Sequence, residues 1–139
     1  MTVKSSRITL STRGEGDTHD ITARAAGAVR ESGLTAGTVT LFVPGSTAAL
    51  TTIEYEDGAV SDFQRLFAEI AAQNRDYAHN QRWGDGNGHS HVRAALLGPS
   101  LTVPFADRNL MLGTWQQIIF VDFDNRPRTR EVIVQIMGE

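Results

Sequence analysis

Three of the four histidines in this chain, His79, His89 and His91, fall within one short stretch that also holds Tyr77, Trp83, Asp85 and Asn87. Neutral imidazole is the commonest protein ligand for zinc and related ions, and it also exchanges protons near neutral pH. Three chemistries fit the stretch. His79, His91 and His89 could hold a divalent metal, zinc or magnesium; a metal-free histidine could transfer protons; or the rings could only pack in a hydrogen-bonded loop. If a helix begins at Ser90, His89 and His91 diverge by about 200° on its wheel, so one faces a site and the other faces away.

Other polar groups could serve the same site. The segment GDGNGHSH approaches a helix start, where unpaired backbone N–H groups attract phosphate or carboxylate, and Asn87 and Arg93 lie beside it. It is neither a Walker motif nor a dinucleotide fingerprint. Arg126, Arg128 and Arg130 alternate, so an extended chain projects them to one side, as an anion clamp or as a solvated edge. Glu54 and Glu56 would likewise share a side of an extended segment, where paired carboxylates bind a cation or divide acid and base roles; more commonly such glutamates complement a helix dipole. Ser46 lies in no nucleophile elbow, which leaves serine hydrolysis unsupported.

The elements that must position these groups follow from pattern. Strands are expected at Arg7 to Leu10, Thr38 to Val43 and Thr47 to Ile53, the second rich in β-branched and aromatic residues and ended by Pro44-Gly45. A helix is expected from Asp20, its cap, to Ser32, with Gly33 as the stop. Val60, Phe63, Leu66, Phe67 and Ile70 make one apolar helical stripe, capped by Ser61 or Asp57. Arg75 to Gly88 reads as a long loop and Ser90 to Leu97 as a short helix. Strands then succeed one another at Leu101 to Phe105, Leu110 to Phe123 and Glu131 to Met137. Trp115 and Gln116 fall inside the long one, where a buried glutamine needs a partner. This order predicts an α+β fold, a mainly antiparallel or mixed sheet packed with two to three helices, and a single domain over residues 1–139.

Composition narrows the function. The chain has 139 residues, 40% hydrophobic and 21% charged, with net charge −3 and no cysteine. Disulfides, thiolate metal sites and thiol nucleophiles are excluded. With acidic and basic residues interspersed there is no broad positive surface for nucleic acid. No long apolar run suggests a membrane span, and the N-terminus lacks a secretory apolar core, so a cytoplasmic protein is expected.

Taken in order, STRG with HDIT, GSTAALTTIE, Tyr77-Ala78-His79, GNGHSH, LLGPSLTVPF, LGTWQQI and RPRTREVIVQIMGE resemble the YjbQ-like family, also described as the secondary thiamine-phosphate synthase family. The resemblance runs over nearly the whole chain. It implies a compact α+β fold, a homotrimer with polar pockets near subunit contacts, and a weak transferase activity joining a pyrimidine diphosphate to a thiazole phosphate with release of pyrophosphate. It carries His79, His91 and Glu54 over as site residues. Glu54 or Asp85 would complete the shell, and Arg93, Arg128, Arg130 and Asn87 would hold a small phosphorylated or anionic ligand. Many relatives have a histidine where this chain has Gly45. The alternatives are a non-catalytic trimeric protein that binds metal or an anion, and a metal-dependent hydrolase.

Overall fold

The computed structural model describes residues 1–139 as two antiparallel sheets and four helices. The strands are β1 (Thr2–Thr12), β2 (Asp17–Asp20), β3 (Gly37–Phe42), β4 (Ala48–Ile53), β5 (Ser100–Ala106), β6 (Asn109–Leu110), β7 (Gln117–Asp122) and β8 (Arg128–Gly138). The helices are α1 (Thr22–Ser32), α2 (Asp57–Ile70), α3 (Ala78–Trp83) and α4 (Gly88–Leu97). One sheet has the order β1-β8-β3-β5-β6 and the other β2-β7-β4. The α+β expectation holds, with more helices than the sequence suggested.

Residues of alternate parity on a strand face opposite sides, and here that rule sets out the layers. Ile8 and Leu10 of β1, Val39 and Leu41 of β3, and Val132, Val134 and Ile136 of β8 point into one core with Ile118 and Phe120 of β7. Ala25 and Val29 of α1 join it. The other parity of β7, Ile119 and Val121, packs with Ala49, Phe67 of α2 and Ala94 of α4. β7 is therefore buried on both faces, which explains its continuous apolar run IIFV.

Local chemistry corrects several boundaries. The expected strand from Leu110 to Phe123 is two strands, because Met111 to Gln116 turn away: Gln116 N–H donates to the Gly113 carbonyl at 3.1 Å, and the Gln116 side-chain oxygen accepts from Gly113 N–H at 3.0 Å. Trp115 is 73% exposed, not core. The α2 cap is Glu56, whose carboxylate accepts from the N–H groups of Gly58 and Ala59. Ser61 and Asp57, named from the sequence, do not fill that role. The expected loop from Arg75 to Gly88 contains α3, closed by Gly84 in the left-handed conformation. Between β1 and β2, Gly14 takes φ +76°, and a Cβ there would meet the Asp124 carbonyl oxygen at 2.5 Å.

Candidate functional site

The inward row of β8 runs Ile136, Val134, Val132 and then turns polar at Arg130 and Arg128. That of β7 runs Ile118, Phe120, Asp122, and that of β1 ends at Thr12. At this end of the core the apolar rows of the two sheets terminate in groups that neutralise one another. The Arg130 Nε and Nη2 donate to the two oxygens of Asp122 at 2.8 and 3.0 Å, and Nη2 also donates to Thr47 Oγ1 at 2.6 Å. Arg128 Nη2 donates to Asp124 Oδ2 at 3.1 Å, Thr47 Oγ1 donates to the same oxygen at 2.9 Å, and Thr12 Oγ1 donates to Asp122 at 2.6 Å. Asp122 and Asp124 are wholly buried.

Charged groups survive burial only when paired and hydrogen-bonded; Asp122 and Arg130 meet that condition, while the buried Asp124 Oδ1 and Arg128 Nε have no hydrogen-bond partner. The Asp122 hydrogen bonds raise the Arg130 guanidinium above its usual range. Burial alone would push the Asp124 carboxyl up, but the Thr47 hydroxyl, the Asn87 side chain and the Arg128 guanidinium outweigh it and hold the group below the ordinary carboxylate value. The alternation that suggested an anion clamp thus brings Arg128 and Arg130 together on one side, with Arg130 Nε and Nη2 and Arg128 Nη2 engaged by Asp122, Asp124 and Thr47, while Arg128 Nε is buried without a partner. One end is open: Arg130 Nη1 has no partner in the chain and points at Gly45, where an added Cβ would meet it at 3.4 Å.

Above this cluster, α4 begins at Asn87. The Asn87 side chain is buried and its oxygen lies 2.5 Å from Ser90 Oγ and 3.2 Å from Asn125 N. It ties the helix start to the β7–β8 turn. His91 leaves α4 toward α3, and its ring lies over that of His79 with centroids 4.4 Å apart and planes tilted by 38°. The His79 Nδ1 is buried and unbonded, with Asp85 Oδ1 3.3 Å away but poorly aligned for a hydrogen bond. Burial first, and then the neighbouring His79 ring, push His91 below the ordinary histidine value, leaving it neutral at pH 7. His91, Gly45 and Ser46 share a cleft of about 370 Å³ that opens to solvent.

The remaining sequence candidates lie elsewhere. His89 is 1% exposed and faces the opposite side of α4 from the imidazole pair; burial is also the main cause of its lowered pKa. Glu54 is exposed beyond the end of β4, and its carboxylate meets no partner. Arg93 donates from Nε to the Ala71 carbonyl at 3.0 Å and lines a separate cleft. No three His, Asp or Glu side chains converge as a metal-ligand set. His79 and His91 supply two imidazoles, one short of the three protein ligands of most catalytic zinc sites, and the position that could add a third is glycine. Asp122, Asp124 and Thr12 were not among the site residues that the sequence pointed to. The available signal was Asp122 within FVDF, since a carboxylate in a doubly buried strand requires a cationic partner.

Comparison with known proteins places this architecture. The family model described as UPF0047 protein YjbQ-like matches residues 6–139. A UPF0047 protein of Methanothermobacter thermautotrophicus is 34% identical over 139 residues, covering 100% of this chain and 95% of that protein. Another from Bacillus subtilis is 32% identical over 132 residues, covering 94% and 97%. A crystal structure of a YbjQ-like protein of unknown function from Sulfolobus solfataricus superimposes with a TM-score of 0.94 at 33% identity, covering 99% of both chains.

Proposed function

This chain belongs to the YjbQ-like UPF0047 family, and on that premise we propose that it acts on a small phosphorylated substrate at the His79–His91 pair. The observation that carries the proposal is His91, its ring against that of His79, lining the same cleft as Gly45, whose other neighbour is the free Nη1 of Arg130. His91, neutral at pH 7, takes up a proton from a bound phosphate monoester, and Asp85 and Asp124, both of which raise its affinity for protons, favour the resulting cation beside the anion. Arg130, held rigidly by Asp122, offers one guanidinium N–H to a phosphate oxygen. Such a donor stabilises charge that builds on a leaving pyrophosphate. This suits the thiamine-phosphate synthase type of transfer, in which a thiazole phosphate nitrogen displaces pyrophosphate from a pyrimidine diphosphate.

A divalent metal, zinc or magnesium, would find two imidazoles here, and no step of the proposal runs through it. Exposed Leu96, Met111 and Trp115 supply apolar surface for the homotrimer that family resemblance suggests. No helix is long and apolar enough to cross a membrane. A second reading, a binding protein without turnover, is favoured by one observation: glycine at position 45 leaves the cleft without a third imidazole.

The test is a turnover assay with a pyrimidine diphosphate and a thiazole phosphate, following pyrophosphate release. Activity lost in His91→Ala and retained in Arg7→Ala supports the enzyme. Stoichiometric pyrophosphate binding with no turnover in the parent protein supports the binding reading instead.

A further inference from the structure

The i, i+4 partner of the buried His89 on α4 is Arg93, and both face away from the imidazole pair. There Arg93 borders a cleft of about 490 Å³ whose walls include Glu15, Gln64, Phe67, Asn74 and Phe123. This size is ordinary for a small-molecule site. Phe67 and Phe123 are 3% and 2% exposed, so they form a fixed apolar floor, with ring centroids 4.9 Å apart. Gln64 and Asn74 add amide groups at its rim.

The charges in this cleft are unusual in being unmatched. Arg93 uses Nε to hold the Ala71 carbonyl, while its two terminal nitrogens meet no acceptor and no carboxylate within ion-pair distance. Burial pushes the guanidinium below its usual range, as expected of a cation without a contacting anion, although Tyr77 and then the more distant Glu15 pull the other way. Glu15 is held in turn by its backbone. It takes φ +57°, in the left-handed region that a side-chain-bearing residue seldom occupies, and its N–H donates to the Asp124 carbonyl at 2.7 Å. The next N–H, that of Gly16, donates to the Asp122 carbonyl at 2.8 Å. The backbone thereby sets an exposed carboxylate on one side of the cleft, with a guanidinium on another, aromatic surface beneath and no ion pair between the two charges.

We propose that this cleft binds a free α-amino acid with an apolar side chain, its carboxylate on Arg93, its ammonium on Glu15 and its side chain over Phe67 and Phe123. The chemistry selects a zwitterion: an anion alone leaves Glu15 unpaired beside it, and a cation alone is repelled by Arg93. The site is separate from the imidazole pair and does not depend on the function proposed there.

The experiment is calorimetric titration of the full chain with L-phenylalanine and with two compounds that each lack one charge, 3-phenylpropionate and phenethylamine. L-Phenylalanine is expected to bind about ten- to a hundred-fold more tightly than either, the worth of one charge-assisted hydrogen-bonded contact. Glu15→Gln, at an exposed side chain, removes the advantage over 3-phenylpropionate, and Arg93→Gln removes the advantage over phenethylamine. His91→Ala changes none of the three affinities. Equal binding of phenylalanine and 3-phenylpropionate overturns the proposal in favour of a simple anion site. Absence of phenylalanine binding at about 10 mM, below millimolar affinity, overturns it outright. Because the comparison among compounds uses the unaltered protein, it stands even if Arg93→Gln fails to fold.

Discussion

Replacing Arg130 by alanine tests whether the arginine row of β8 is structural. Its side chain is 15% exposed and Asp122 is wholly buried, with two hydrogen bonds between them at 2.8 and 3.0 Å. Removing the guanidinium leaves the Asp122 carboxylate inside the core with only Thr12 Oγ1 and the Asp124 N–H as donors. Stranding one member of a buried ion pair costs about 3–5 kcal/mol. Arg7 provides the contrast: it pairs with Glu131 at 3.0 Å between β1 and β8, but the side chains are 58% and 50% exposed. Loss of such a surface pair costs about 0–1 kcal/mol, because water already solvates both charges. At about 3 °C per kcal/mol for a domain of this length, Arg130→Ala should lower the melting temperature by roughly 10 °C or more, and Arg7→Ala by at most about 3 °C. Urea denaturation of both variants at pH 7 measures the difference directly. If the two losses agree within about 1 kcal/mol, the polar end of the core does not hold the sheets together as described.

Further outcomes follow from the same structure. Gly14→Ala should destabilise by more than about 2 kcal/mol in the same denaturation assay, since φ +76° is unfavourable and the new Cβ would strike the Asp124 carbonyl. Glu56→Ala should cost about 1 kcal/mol through loss of the α2 cap, and Glu56→Asp should cost less. Burial lowers His89 and His91 below the unfolded value of about 6.5, so the unfolded chain binds more protons as pH falls. Stability is then full above about pH 6.5 and declines below it, by up to about 1.4 kcal/mol per pH unit for each histidine, down to their folded values. Thermal melts from pH 7.5 to 5 should show this decline, and His91→Gln should make it shallower.

The fold was legible where one period dominated. TVTLFV gave β3 within a residue, and the apolar stripe from Val60 to Ile70 gave α2 except for its first turn. That turn was missed because Glu56 caps with a longer side chain than the usual aspartate or serine. LGTWQQ reads as strand by composition, yet Gln116 folds back on Gly113 and lifts Trp115 into solvent; a side-chain bond three residues away leaves no trace in periodicity. In the candidate site, the clustering of His79 and His91 was visible, as was the shared side of Arg128 and Arg130. What the arginines face was not, because Asp122 belongs to another sheet and the pairing spans two strands whose register the sequence does not reveal.

The central claim is that His79 and His91 form one unit that meets phosphate beside Arg130. Imidazole nitrogen resonances, recorded at pH 7 while pyrophosphate is added to the protein, test it most directly. The His79 and His91 signals are expected to move together on one saturating curve, while that of His19, which is paired with Asp17 at 2.8 Å, stays still. Saturation with no change at either ring, or with a change at His19 alone, would contradict it.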